Sequence, residues 1–200
     1  LDRNAAISTW FGRSLTTSEY RTWRRLTDEI TRRPTFHPLR VRAVEPVSSD
    51  AVAVTFDVPA DLVASYRYVQ GQHLTLRAVI DGEVVRRSYS LVGAVADAPG
   101  TLRVAVKHVP GGQFSTYVNE RLVPGDLLDV MTPAGAFHLG LDPAAVRHHV
   151  GIVAGSGITP LMSTVATTLD AEPGSRFTLV YGNRTAETTM FAAELAAWQE

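Results

Sequence analysis

The segment Arg86-Arg87-Ser88-Tyr89-Ser90 combines cations, an aromatic ring and hydroxyl groups at the end of a predicted strand. The planar guanidinium of Arg87 suits the oxygens of a phosphate. Alternate residues of a strand share a face, so Tyr89 projects beside Arg87 and its ring could stack on a flat heterocycle. The hydroxyl of Ser90 could hydrogen-bond a nitrogen of that heterocycle. A surface strand with alternating polar residues would look the same, so this segment alone leaves both interpretations open.

A second candidate segment, Gly111-Gly112-Gln113-Phe114-Ser115, follows a predicted strand that contains Lys107 and His108. Glycines leave backbone N–H groups accessible, and the N-terminus of a helix attracts anions. The pattern therefore indicates a phosphate-binding turn, although a plain tight turn at Pro110-Gly111-Gly112 would also explain it.

The third candidate is Gly155-Ser156-Gly157-Ile158-Thr159-Pro160, between a predicted strand and a predicted helix. Glycines at a strand end allow close approach of a pyrophosphate, which the following helix then faces. We predict Thr159 as the N-cap of that helix and Pro160 as its first residue. Gly155 and Gly157 lie in a G-x-G-x-x-P pattern, which a purely structural turn would also explain.

Arg184 lies in the loop Gly182-Asn183-Arg184-Thr185, after the next predicted strand. At this position an acidic residue favours the ribose hydroxyls of NAD, whereas an arginine favours the 2′-phosphate of NADP. Arg184 thus favours NADPH over NADH, and a solvent-facing loop arginine is equally consistent with the pattern.

The secondary-structure elements that must position these residues show two different patterns of apolar residues along the chain. Between 37 and 140, alternating Val-rich segments and turn residues predict six short antiparallel strands and one helix, from about Phe114 to Leu122, which suggest a small closed barrel. Asp81-Gly82 suits a two-residue type I′ hairpin. The predicted strands are Leu39–Val47, Ala51–Val58, His73–Ile80, Glu83–Leu91, Thr101–Val109 and Leu127–Met131.

Residues 141–200 change to a strand–helix–strand–helix pattern, which is the beginning of a parallel α/β domain. The second of its helices is predicted to carry Met190, Phe191, Leu195 and Trp198 on its apolar face. At the other end of the chain, residues 1–36 are Arg-rich and predict a helical extension, with Trp23, Leu26 and Ile30 at helical spacing. Thr31–Pro38 is predicted as a linker.

The composition excludes several kinds of chemistry within these 200 residues. The net charge of -1 gives no indication of binding to nucleic acid, and no apolar run is long enough to span a membrane. The absence of cysteine excludes disulfides and cysteine-ligated iron–sulfur clusters within this chain. The absence of disulfides fits a cytoplasmic protein, and the cytoplasm is the location we expect. The histidines lack metal-ligand spacing, so no metal site is predicted.

Taken in order, the motifs resemble those of the ferredoxin–NADP reductase superfamily, in particular oxygenase reductases of the phenylacetyl-CoA epoxygenase type. The resemblance covers residues 36 to 200 and includes Tyr181-Gly182-Asn183-Arg184 and Met190-Phe191 besides the segments above. It implies a six-stranded antiparallel Greek-key FAD barrel followed by an α/β NAD(P) domain. The later strands of that domain have no counterpart in this sequence, so only its N-terminal half is expected.

The same resemblance implies a role for each site residue. Arg87 would hold the FAD phosphates, Tyr89 would stack on the isoalloxazine and Ser90 would approach flavin N5. Six further residues would line the FAD, two of them, Gly112 and Ser115, at its diphosphate. The six are Lys107, His108, Gly111, Gly112, Gln113 and Ser115.

For the nicotinamide cofactor, the resemblance implies that Gly155 and Gly157 bind the pyrophosphate and that Arg184 contacts the 2′-phosphate. Thr159 would lie close to the nicotinamide and the flavin. Tyr89, Ser90 and Thr159 are therefore the residues expected at the reacting atoms.

We therefore expect an FAD-dependent oxidoreductase that passes hydride from NAD(P)H to flavin, with NADPH favoured and NADH possible. Its electron acceptor would be an iron–sulfur protein or oxygenase on another domain or chain. Two alternatives stay open. One is a flavin-binding electron-transfer subunit without its own NAD(P)H turnover, and the other is a non-catalytic interaction domain on a reductase scaffold.

Overall fold

The computed structural model describes residues 34–95 and 100–198. Contacts group Thr35–Glu200 into one compact unit. The predicted helix with Trp23, Leu26 and Ile30 lies outside the described residues. The proposed domain boundaries at 36 and 140 stay predictions.

Six antiparallel strands form the first part of this unit, as predicted. They are β1 (Phe36–Ser48), β2 (Ala51–Asp57), β3 (His73–Ile80), β4 (Glu83–Ser90), β5 (Thr101–Lys107) and β6 (Leu127–Met131). Their order in the sheet is β4-β3-β6-β1-β2-β5. The two edge strands meet just beyond β4, where Leu91 forms a bridge with Val104 and the N–H of Val92 donates to the carbonyl of Arg103 at 2.9 Å. The sheet therefore curls into a barrel.

The long strand β1 corrects one prediction. Phe36 to Pro38 belong to β1 and pair with β6, so the predicted linker Thr31–Pro38 is wrong at its C-terminal end. The strand extends this far because its first residues pair with β6, while residues 40–48 pair with β2 on the opposite edge.

The β3–β4 hairpin turns at Asp81 and Gly82, whose φ angles are 51° and 86°. Two successive positive φ angles define the type I′ turn, so this prediction is confirmed. The register of the hairpin places Arg87 opposite Leu76 and Tyr89 opposite Leu74. Leu74 and Leu76 are fully buried, so Arg87 and Tyr89 share the face that carries the barrel core.

One helix, α1 (Gln113–Glu120), closes the barrel between β5 and β6. Its side chains Phe114 and Val118 are buried in the same core cluster as Phe56 and Tyr66. Each such side chain contributes about 1.5–3 kcal/mol by leaving water, so burial in the barrel core helps to hold α1 in place.

The second part contains β7 (His148–Ala154), α2 (Ile158–Ala171), β8 (Arg176–Gly182) and α3 (Ala192–Ala197). Strands β7 and β8 pair in parallel, as the predicted strand–helix–strand pattern requires. None of the helices in the described part of the chain is long and apolar enough to cross a membrane.

Two details of the second part differ from the prediction. Helix α2 begins at Ile158 after a single 3₁₀ turn, Gly155–Gly157, so Thr159 is not its N-cap and Pro160 is not its first residue. Met190 and Phe191 precede α3 instead of lying on it. Both are almost fully buried in a second core cluster, and Phe191 adopts a φ of 60°, which no helix continues.

A buried carboxylate, Glu172 at the end of α2, organises the segment that leads into β7. It accepts hydrogen bonds from the N–H of Asp142 at 3.0 Å and the hydroxyl of Ser175 at 2.8 Å. Arg147 and His149 contact the same carboxylate at 3.0 and 3.1 Å. The Asp142 N–H, followed by Ser175, His149 and Arg147, lowers the pKa of Glu172 to about 2.

Candidate active site

The end of β4 carries Arg87 and Tyr89, the cation and the aromatic ring predicted from the sequence to bind a ligand. Arg87 is exposed, and its Nη1 donates to the backbone oxygen of Arg86 at 2.7 Å. In the described part of the chain no acidic side chain forms an ion pair with Arg87. Its charge is therefore available to an anion from outside the chain.

Tyr89 is held by a second ring. Its centroid lies 5.9 Å from that of Phe114, at an interplanar angle of 34°. Burial raises the pKa of Tyr89 to about 12, while the charge of Arg87 acts in the opposite direction. The phenol is therefore neutral at physiological pH and keeps its O–H donor. Ser90, half-buried, is the last residue of the strand.

The turn that precedes α1 is built around Ser115. Its hydroxyl accepts from the N–H of Val109 at 3.1 Å and donates to the carbonyl of Gly112 at 3.0 Å. A Cβ on Gly112 would lie 2.7 Å from that hydroxyl and 2.9 Å from the backbone carbonyl of Val109, so a larger residue would force this turn to shift. Among the described residues no side chain caps α1, so its first N–H groups find no capping oxygen there. Ser115 thus shapes a helix N-terminus suited to an anion, and its direct contact with a diphosphate stays a prediction.

Lys107, His108 and Gln113 use their side chains within the protein. The ammonium of Lys107 contacts Asp50 at 3.0 Å, and Nε2 of His108 lies 3.2 Å from Oγ1 of Thr116. Nε2 of Gln113 donates to the carbonyl of Ile80 at 3.4 Å. Any contact of these residues with a cofactor would have to use the backbone or a different rotamer.

The glycine turn after β7 is held from β8. The hydroxyl of Tyr181 donates to the carbonyl of Gly155 at 3.0 Å, and that of Thr159 donates to the carbonyl of Ser156 at 3.0 Å. Gly155 has a φ of 51°, and the position of a Cβ there has no neighbour within 4 Å. The turn is therefore open on its outer side and braced on its inner side.

Arg184 is exposed in the loop after β8. Parallel neighbours end at the same edge of a sheet, so Arg184 and the turn Gly155–Gly157 occupy one end of the β7–β8 pair. The carboxyl ends of parallel strands are where ligands of open α/β sheets bind.

The structure thus assembles two sets of predicted site residues. Tyr89 meets the start of α1 through Phe114, and Arg87 lies on the same strand face as Tyr89. The glycine turn and Arg184 lie at the end of β7 and β8. The first set fits FAD, because it combines an exposed guanidinium, a half-buried ring and a helix N-terminus, and no acidic partner or side-chain cap for them occurs among the described residues.

Three supporting residues were missed by the sequence reasoning. Phe114 braces Tyr89, Tyr181 braces Gly155, and Asp50 holds Lys107. Phe114 and Tyr181 lie inside the motifs, and their aromatic character beside glycine turns could have marked them. Asp50 is distant in sequence from Lys107 and carried no signal.

Two family models match the chain. Residues 38–139 match the model described as oxidoreductase FAD-binding domain, and residues 152–200 match the oxidoreductase NAD-binding domain. The first match includes β4 and the start of α1, and the second includes the glycine turn and Arg184.

Curated relatives include components of oxygenase systems. One of the subunits of 1,2-phenylacetyl-CoA epoxidase from Escherichia coli K12 is 49% identical over 164 residues, which are 81% of this chain and 45% of that protein. The ferredoxin reductase component of 3-ketosteroid-9-alpha-monooxygenase from Rhodococcus rhodochrous is 36% identical, with the same coverage of 81% and 45%. The chain therefore spans less than half the length of these relatives.

Solved structures agree with this assignment. The FAD/NAD-binding domain of nitric oxide dioxygenase from Vibrio cholerae is 26% identical at a TM-score of 0.68, covering 80% of this chain and 68% of that one. Phthalate dioxygenase reductase, a structure for electron transfer from pyridine nucleotides to [2Fe-2S], is 26% identical at a TM-score of 0.64, covering 80% and 48%.

Proposed function

Because the chain belongs to the ferredoxin–NADP reductase family of FAD-binding oxidoreductases, we propose that it is the flavin-binding part of an NAD(P)H-dependent reductase. In such a reductase the two bound cofactors carry the redox chemistry, hydride passing from nicotinamide to flavin, and the protein supplies binding and alignment. The electron acceptor we propose is an oxygenase or an iron–sulfur protein, because relatives of the chain are components of oxygenase systems.

The observation that carries the proposal is the pairing of Arg87 with Tyr89 beside the N-terminus of α1. An exposed guanidinium that pairs with no acid in the described part of the chain, next to a ring whose phenol is neutral, suits a ligand that is both anionic and aromatic. Phe114 connects the two features, since it belongs to α1 and supports Tyr89 at 5.9 Å.

For the nicotinamide cofactor we propose the turn Gly155–Gly157 as the pyrophosphate site, with Thr159 near the reacting rings. The turn precedes a 14-residue helix for which the described part of the chain provides no side-chain cap, so the positive end of α2 faces it. We favour NADPH over NADH on the exposed guanidinium of Arg184. The cytoplasmic location expected from the sequence stays a prediction.

The main alternative is a flavin module that does not oxidise NAD(P)H itself. A non-catalytic interaction domain has less support, since Arg87 and the start of α1 offer groups suited to binding an anionic cofactor.

An anaerobic absorbance titration tests the proposal. The protein is reconstituted with FAD and titrated with NADPH and, separately, with NADH. Bleaching of the flavin band at low NADPH concentration is the expected result. Flavin binding without bleaching by either nucleotide would favour the flavin module, and failure to bind FAD would favour the interaction domain.

A further inference from the structure

The outer face of β5 carries a stripe of alternating residues that contact the nucleotide-binding part. Leu102, Val104 and Val106 are buried in the barrel core, so Arg103, Ala105 and Lys107 project to the opposite face. Ala105 belongs to the second core cluster, together with Met162 of α2 and with Met190 and Phe191. Its small side chain allows the two parts to approach closely.

Arg103 forms the more specific of the two polar contacts on this face. Its Nη1 and Nη2 donate to the two oxygens of Glu194 at 3.0 and 2.9 Å. The same guanidinium lies 5.5 Å from the ring centroid of Phe191. A two-point guanidinium–carboxylate contact restricts both distance and orientation. Arg103 therefore fixes the position of α3 as well as neutralising the charge of Glu194.

Lys107 provides the second contact. Besides Asp50, its ammonium donates to the carbonyl of Thr188 at 3.3 Å. Two backbone hydrogen bonds lie alongside, from the N–H of Ser49 to the carbonyl of Glu187 at 2.9 Å and from the N–H of Phe191 to the carbonyl of Val47 at 3.0 Å. The segment 187–194 is thus tied to the barrel at both ends of the β5 stripe.

We propose that Arg103, with Lys107, is a positioning residue that clamps segment 187–194 to the barrel and thereby sets the orientation of the nucleotide-binding turn relative to Tyr89. The segment follows directly on the loop of Arg184 and on β8, whose Tyr181 braces Gly155. A shift of segment 187–194 against the barrel would therefore move β8 and, through it, the turn Gly155–Gly157. The orientation part of this inference rests on the proposed function, whereas the clamp does not.

The test uses Arg103→Met, which keeps the aliphatic stem and removes the charge. A matched control is Arg77→Met, because Arg77 also makes two hydrogen bonds to one carboxylate, that of Asp129, and lies over an aromatic ring, Phe36. The two arginines have similar exposed fractions, 27% and 31%. Arg77, however, lies wholly within the barrel.

The first readout is amide hydrogen exchange in the full chain without cofactors, at Phe191 and Ser49. An ion pair of this exposure contributes modestly to stability, so Arg103→Met should speed exchange at both amides by up to about fivefold. Arg77→Met should leave them unchanged, and the double variant Arg103→Glu with Glu194→Arg should restore protection. Unchanged exchange in Arg103→Met, or equal acceleration in Arg77→Met, would overturn the clamp.

The second readout is the first-order rate at which saturating NADPH bleaches bound flavin. Misplacement of the reacting groups is costly, so we expect a fall of about tenfold in Arg103→Met and recovery in the charge-swapped variant. Faster exchange with an unaltered bleaching rate would overturn the positioning role. If the wild-type protein does not bleach at all, the proposed function fails, and hydrogen exchange still decides the clamp.

Discussion

Two adjacent arginines offer an internal control for the flavin site. Arg87 projects from β4 on the side of Tyr89, whereas Arg86 projects on the other face, where its guanidinium carbon lies 5.5 Å from the ring centroid of Phe36. Replacing each by methionine removes one positive charge at almost the same place in the chain. Only Arg87→Met should weaken FAD binding.

The magnitude follows from the environment of Arg87. Its guanidinium is exposed and donates to a neighbouring carbonyl, so its removal should change the free energy of unfolding by no more than about 0.5 kcal/mol. A hydrogen bond to a charged group contributes about 1.5–3 kcal/mol, which corresponds to a rise of about 10- to 150-fold in the Kd for FAD.

The assay is a fluorescence titration of FAD at two salt concentrations, with melting temperatures as the control for folding. Salt should weaken binding by the wild-type protein more steeply than by Arg87→Met, because one screened charge pair is lost. The reasoning is refuted if Arg87→Met binds FAD within about twofold of wild type, or if Arg86→Met loses as much affinity.

Three further predictions concern other parts of the structure. Gly71→Ala should lower the free energy of unfolding by about 2–4 kcal/mol, because a Cβ would overlap the carbonyl oxygen of Phe137. Gly82 has a similar φ but open space around it, so Gly82→Ala should lower that free energy by only about 1 kcal/mol. Equal losses in denaturant melts would contradict this. Glu172 has a pKa lowered from 4.5 to about 2, so the stability it contributes is fully present above pH 4.5 and is lost as the pH falls towards 2. Melting temperatures over this range should depend less on pH in Glu172→Gln than in the wild type. An equal pH dependence would exclude this carboxyl as the source of the acid sensitivity. Tyr181→Phe removes the hydrogen bond to the carbonyl of Gly155, so it should weaken NADPH binding by about 2- to 10-fold without changing FAD affinity. Separate titrations with NADPH and with FAD measure the two affinities. An equal loss of both would point to a general loss of structure.

Local patterns in the chain predicted most of the barrel. Strand alternation depends on which residues are apolar, and the turn Asp81-Gly82 depends on two residues alone, so both were readable without a partner. The same holds for the helix after Gly111-Gly112 and for the strand–helix–strand order of residues 148–182.

The errors occurred where distant residues compete with local preference. Phe191 has helical spacing with Leu195, and Met190 precedes it, but both are buried in the cluster of Ala105 and lie outside α3. Thr159 is a good N-cap residue, yet the 3₁₀ turn begins the helical backbone earlier and Thr159 donates to Ser156 instead. Phe36 to Pro38 contain a proline, and pairing with β6 nevertheless extends β1 across them.

The amino-acid sequence by itself determined the types of chemistry available to this protein: an arginine and a tyrosine two residues apart, glycine turns before helices, and no thiol. These depend on residue identity and short spacing, which tertiary contacts do not alter. Tertiary structure alone decided which of these groups are free. It left Arg87 without an acidic partner among the described residues, turned Lys107 towards Asp50 and Thr188, and joined Arg103 to Glu194 across 91 residues. Such partners are chosen by the packing of the barrel against the second part, and no local pattern in the chain specifies them.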